Sequence, residues 1–271
     1  MFNLSKRIIL NSKIFFLAAL FCYLPIKSHA WGMLGHRIVG EIASYYLTPK
    51  AKKAIEQILG TESIGMASNW ADFIKSDPSY NYLYNWHFIN IKDSLSYQQI
   101  QDYLRTDTAT DLYTKTNFVI EQLRNKQLEQ DKKVLYLKLL IHFIGDMHQP
   151  LHVGLLEDLG GNRVKVFWFN ESSNLHRVWD EHLIEYQQLS YTEYVKAINH
   201  TTKSQTQEWQ KKPILDWVYE SYQIRGQIYK GIKQPEEKLS YKYNFDNVQI
   251  LNSQLLKGGV RLAGVLNEIF K

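Results

Sequence analysis

Cysteine is all but missing: the 271 residues contain one, Cys22, so no intrachain disulfide can form. Long apolar runs are missing as well, and the best candidate, residues 14–26, is shorter than the ~20 residues that a bilayer crossing needs. Proline is scarce, and no Pro/Gly/Ser linker, charge block or repeat divides the chain. These absences exclude a disulfide scaffold and a modular array, and the short apolar run favours a secretory leader over a helical membrane anchor.

What is present at the start is a tripartite pattern. Lys6, Arg7 and Lys13 precede the apolar run at 14–26, and Ser28 and Ala30 are the small residues that a signal peptidase accepts. Residues 1–30 therefore read as a cleaved secretory leader, and residues 31–271 as one catalytic domain. Cys22 follows Phe21, where lipidation would need a small residue, so the expected location is periplasmic or secreted, with no anchor after cleavage. The formal charge of the whole chain is +5, and Lys6, Arg7, Lys13 and Lys27 leave with the leader, which contains no acid. The remainder is near neutral, about +1, and its charge gives no ground for a nucleic-acid-binding surface.

Apolar positions recur at three-to-four spacing over residues 36–47, 49–59, 66–75, 97–104, 110–129, 131–148, 175–186, 191–200, 213–231 and 247–270, which predicts helices. Asp131 is the expected N-cap of a central helix that is apolar nearly all round and ends at Gln149-Pro150. One strand-like run, residues 163–169, follows the turn Gly160-Gly161-Asn162 and predicts a small hairpin. The fold class is all-α, a multi-helix bundle with a small β-hairpin.

The chemistry lies in polar residues set into apolar helices. His142 and Asp146 are four apart and share a helix face, and His176 and Asp180 repeat the spacing. A single such pair is commonly a hydrogen-bonded core histidine. Two pairs, joined by His152, by His36, by Asp72 and by His87, assemble the nitrogen and oxygen donors that zinc accepts. Trp31, at the predicted new N-terminus, adds an α-amino nitrogen that is a neutral donor once deprotonated, near pH 7.7–8.0 by its unperturbed value of about that size. His148 reads as a donor to a helix-end carbonyl, and His182 and His200 as surface residues.

The set Trp31…His36, Trp70-Ala-Asp72, Trp86-His87-Phe88, His142-x3-Asp146, Gln149-Pro-Leu-His152, Gly160-Gly-Asn162 and Asn174-Leu-His176-x2-Trp179-Asp180 resembles the trinuclear-zinc, single-strand-specific nuclease and 3′-nucleotidase family of the mung bean nuclease type. The resemblance implies a fold shared with zinc phospholipases C and three Zn2+ per chain. Asp72, His87, His142 and Asp146 would hold one zinc; Trp31, His36 and a bridging Asp146 a second; His152, His176 and Asp180 the third. It also implies that a water acidified between the paired zincs attacks phosphorus with Asp72 orienting it, while the third zinc neutralises the leaving 3′-oxygen.

Expected substrates are single-stranded RNA and DNA, released as 5′-phosphates, and 3′-nucleotides. Phe88 is the expected base-stacking aromatic, Asn90 the reader of a base edge in place of an Asp in relatives, Lys75 a phosphate contact in place of an arginine, and Asn162 either a substrate contact or turn chemistry. No obligate protein partner is implied and a monomer is expected. The alternative is a zinc phospholipase C acting on lipid headgroups, whose last ligand is typically Glu where this chain has Asp180.

Overall fold

Side-chain caps fix where most helices begin. The computed structural model describes residues 31–271; the predicted leader, with Cys22 and His29, lies outside them. Helix α1 is Met33–Tyr45, and α2, Pro49–Leu59, starts where Thr48 accepts from the Ala51 amide. Capping boxes, in which the cap and the third helical residue satisfy each other's backbone amides, open α3 (Tyr97–Thr106), α4 (Leu112–Arg124), α6 (Tyr191–Ile198) and α7 (Lys203–Lys211). The remaining long helices are α5, Gln130–His148, α8, Ile214–Gly231, and α9, Tyr241–Ile269.

Helix α5 is central. Its C-terminal half, including Leu139, Leu140, Ile141, Phe143 and Ile144, is fully buried, and α1, α4, α8 and α9 all pack on it. A single hydrophobic cluster joins these elements, from Trp31 and Ile38 to Leu262 and Leu266. Among the described residues no helix is long and apolar enough to cross a membrane.

Several expectations need correction. Asp131 is not the cap of α5: Glu129 holds the extended cap position without a side-chain bond, and Asp131 lies in the first turn, where its charge suits the helix dipole. The run 66–75 is not one helix but the short turns Ile64–Ala67, Trp70–Phe73 and Ile74–Ser76. The run 175–186 changes its winding midway, because Val178–His182 is a π-helical turn between Leu175–Arg177 and Leu183–Glu185. Helix α7 was not foreseen, since it buries no residue and so has no apolar stripe to read.

The hairpin forms as β3 (Lys165–Trp168) against β4 (Glu171–Asn174), and β5 (Glu237–Leu239) adds a third strand parallel to β3. Two shorter strands, β1 (Ile89–Asn90) and β2 (Val153–Gly154), pair in parallel at Ile89↔Val153 and Asn90↔Gly154. This small bridge ties the segment after His87 to the segment after His152. His182 is half-buried rather than on the surface: its ring stacks on Trp168 and shares a hydrogen bond with Ser173.

Candidate metal centre

Four chain segments bring their polar residues to one buried place. Helix α5 contributes His142 and Asp146 one turn apart; α1 contributes His36; the turn Trp70–Phe73 contributes Asp72; and the 3-10 segment Pro78–His87 ends on His87. Around Asp146, which is fully buried, stand four imidazoles: His36 at 3.3 Å, His87 at 3.1 Å, His142 at 3.2 Å and His152 at 3.5 Å. Asp72 faces the same space, 3.7 Å from His142 and 3.9 Å from His87. His36 lies flat against His142 with ring centroids 3.8 Å apart. That stacking is possible because residue 145 is glycine, where an added Cβ would stand 2.7 Å from His36 Nδ1.

A second group lies beside the first. His176 Nε2 is 3.1 Å from Asp180 Oδ2, and His152 Nε2 is 3.8 Å from Asp180 Oδ1. Three sets of donors thus converge closely enough for an ion: His36, His142 and Asp146; Asp72, His87 and His142; and His152, His176 and Asp180.

Backbone carbonyls decide which ring nitrogens face inward. His142 Nδ1–H donates to Ser68 O at 2.7 Å, His152 Nδ1–H to His87 O at 2.6 Å and His176 Nδ1–H to Gly160 O at 2.6 Å. Each bond leaves an Nε2 lone pair aimed at its cluster, the arrangement by which metal-binding histidines are commonly oriented. Both nitrogens of His36, His87 Nε2, Asp146 Oδ1 and His152 Nε2 are buried and have no hydrogen-bond partner. An unsatisfied buried polar atom costs about 1–3 kcal/mol, and bound cations would satisfy those that face the clusters. The donor set, imidazole nitrogen and carboxylate oxygen, fits divalent ions of the zinc type.

The electrostatics agree with that fit. Burial pushes the Asp146 carboxyl up, but His142, His152 and His36 outweigh it and hold it well below the usual carboxylate range. Asp72 is likewise held low against burial by His142, Lys75 and His87. Burial, with Lys75 nearby, pulls His87 down to about 4, whereas Asp146 and Asp72 keep His142 raised despite its burial. The carboxylates stay ionised and His87 stays neutral, the states a metal requires, while His142 and His176, raised by their carboxylates, would give up a proton as a metal binds.

The predicted substrate residues are distributed unevenly. Lys75, 23% exposed, reaches back to Asp72 Oδ1 at 2.5 Å, so it belongs to the cluster rather than to a solvated face. Phe88 follows His87, is half-buried, and meets the exposed Tyr84 edge-on at 5.9 Å. Asn90 sits in β1. Asn162 turns back to donate to Leu159 O at 2.8 Å, a bond local to its turn. Trp31 is fully buried, and its indole N–H donates to Gly145 O at 2.7 Å, one residue from Asp146.

Other participants carry no signal in sequence. Ser68, His87 and Gly160 act through carbonyl oxygens, which every residue has. Gln149 is buried, and its side-chain amide donates to Asp180 Oδ1. In sequence Gln149 stands out only as the first residue of the Gln149-Pro-Leu-His152 motif, which does not say that its amide meets Asp180.

Residues 31–271 match the family described as S1/P1 Nuclease. The chain is 31% identical to Endonuclease 2 of Arabidopsis thaliana, over 92% of this chain and 93% of that one. Similarity extends to fungal proteins: Nuclease P1 of Penicillium citrinum is 28% identical over 88% of this chain and 97% of its own length. Nuclease S1 of Aspergillus oryzae is 31% identical over 58% of this chain and 56% of its own. The phospholipase alternative is not favoured by these similarities.

Proposed function

The chain belongs to the S1/P1 nuclease family, and from that membership we propose that this hydrolase cleaves single-stranded RNA and DNA to 5′-phosphates and removes 3′-phosphates from nucleotides, using three zinc ions. The observation that carries the reading is Asp146 and its ring of four histidines beside the separate His152, His176 and Asp180 group. Asp72, His87, His142 and Asp146 would hold one ion, Trp31, His36 and Asp146 a second, and His152, His176 and Asp180 a third. Bound there, zinc supplies positive charge to a phosphate ester and brings the pKa of a water toward about 7.

The protein's own groups do the rest. Asp72 and Asp146 remain ionised and give the centre oxygen donors, and Asp72 has a second oxygen free to orient a water. The carbonyls of Ser68, His87 and Gly160 hold three imidazoles in a single tautomer, so no reorganisation is needed when substrate arrives. Lys75, already beside Asp72, adds a point charge for phosphate. Phe88 offers a ring on which a base can stack, worth about 1–3 kcal/mol and insensitive to sequence. A base paired in a duplex would first have to leave its stack, which accounts for a preference for single strands. Export follows from the leader-like residues 1–30, and cleavage before Trp31 would free its amine.

The test is to assay single-stranded RNA, single-stranded DNA, a 3′-mononucleotide and phosphatidylcholine side by side, with and without chelator. Turnover of the first three, abolished by chelator and restored by zinc, is expected. Lipid turnover without nucleic-acid turnover would reject the proposal.

A further inference from the structure

Arg225 is an arginine without a surface. It rises from α8 into the interior, is fully buried, and its guanidinium lies over the ring of Tyr222 at 4.6 Å. Nη1 donates to three carbonyl oxygens, Ile91 O, Val153 O and Gly154 O, each at 2.8 Å, and Nη2 pairs with Asp93 Oδ1 at 2.6 Å. A buried charge is costly unless it is paired and hydrogen-bonded, and here both Nη atoms are satisfied while Nε has no partner, so the Nη contacts are what the side chain is for.

Two of the three carbonyls are those of β2, and the third, Ile91 O, follows directly on β1. That bridge is two residues long on each side, and so short a pairing does not hold itself in water. Its near end is closed by the bond from His152 Nδ1–H to His87 O and its far end by the Ile91 amide on Gly154 O at 3.0 Å, while Arg225 spans its length on the β2 side and reaches Ile91 O beyond β1. The bridge joins His87, which faces Asp146, to His152, which faces Asp180. Whatever fixes the bridge fixes the separation of the two donor groups.

We propose that Arg225 is a positioning residue that sets the distance between the paired-ion group and the His152, His176 and Asp180 group, an inference that rests on the metal reading above. The two sides would not respond equally to its loss. His87 meets Asp72, His142 and Asp146, whereas His152 turns its protonated Nδ1 toward His87 O and Asp146 and offers its Nε2 lone pair to His176 and Asp180 alone. Loosening the bridge therefore frees His152 first.

The experiment is a zinc titration of the chain beginning at Trp31, resolved against a competing chelator, on the unaltered protein, Arg225→Lys and Asp93→Asn. Lysine keeps the charge but lacks the planar fork that serves carbonyls and carboxylate together. Arg225→Lys is expected to retain the two paired ions and to bind the third about 10–100-fold more weakly, the range seen when groups supporting metal-binding side chains are removed. Its kcat should fall, with recovery as zinc is raised. Asp93 is 60% exposed, and Asp93→Asn removes the counter-charge of Arg225 while keeping an Oδ1 that accepts from Nη2, so a smaller weakening of the same ion is expected. If Arg225→Lys does not fold, Asp93→Asn alone decides. Zinc isotherms that match the unaltered chain, or a parallel weakening of all three ions, overturn the assignment. An unaltered chain that takes up no zinc overturns the metal reading itself, and this inference with it.

Discussion

Gly160 shows how much of the centre depends on single residues that are not donors to it. Its φ of +63° lies in the left-handed region, and a Cβ placed there would stand 2.4 Å from Leu151 O. Its carbonyl accepts from His176 Nδ1. Gly160→Ala is therefore expected to cost at least ~1–3 kcal/mol of stability for the backbone conformation alone, and to weaken zinc binding at His152, His176 and Asp180 while the paired site keeps its ions. Thermal unfolding in chelator and a metal count after dialysis would check the two effects separately. The side-chain donors were legible in sequence because four-residue spacing on a helix has one geometric meaning, as at His142 and Asp146. The carbonyls of Ser68, His87 and Gly160 were not, because a backbone oxygen becomes specific only when tertiary packing brings an imidazole to it. Lys75 illustrates the same limit: its spacing from Asp72 was visible, but not whether it would face solvent or the carboxylate.

At the scale of elements, legibility followed apolar periodicity. Helix α5 was readable because burial on nearly every side leaves a long apolar run, and its stop at Gln149-Pro150 is encoded by proline. Helix α7 was not, since capping by Thr202 and Gln205 holds it where no apolar face does. Strand β5 pairs with a partner some seventy residues earlier by about the count of chain between them, a distance at which no local pattern informs. The end of α5 also carries a testable charge arrangement. His148 is fully buried, donates from Nδ1 to Ile144 O at 2.7 Å, and accepts at Nε2 from Arg261 at 2.9 Å. Burial and the Arg261 guanidinium pull its pKa down to about 3. In the unfolded chain it titrates near 6.5, so between those values the unfolded state binds a proton that the folded state refuses. Stability is therefore lost as pH falls through that window. His148→Gln keeps an acceptor for Arg261 but cannot titrate. It is expected to cost about 1 kcal/mol at pH 7, the scale of one imperfect hydrogen bond, and to lose less stability than the unaltered chain from pH 6.5 downward. Urea unfolding at several pH values, with chelator in both proteins, measures the difference; parallel pH curves would reject it.

For the whole molecule the decisive question is where the folded chain begins. Trp31 is fully buried with its indole bonded to Gly145 O beside Asp146, and the Gly32 amide donates to Asp180 O at 2.8 Å. The Trp31-Gly32 segment is therefore anchored to both donor groups by bonds that do not involve the Trp31 nitrogen. Crowding adds to the constraint, since a Cβ at residue 32 would meet Glu181 Cγ at 2.8 Å. A residue placed before Trp31 leaves every one of these anchors in place but converts the amine, with its lone pair, into an amide that cannot ligate. Folding and zinc binding should consequently separate. A chain with one extra residue before Trp31 is expected to unfold in chelator at nearly the same temperature as the chain beginning at Trp31, and to bind the ion of the His36 and Asp146 group about 10–100-fold more weakly. Most of its turnover should disappear, while the ion on His152, His176 and Asp180, which would take no ligand from the Trp31 amine, provides the internal control. Equal zinc content and equal turnover in the two chains would show that the amine is not a ligand.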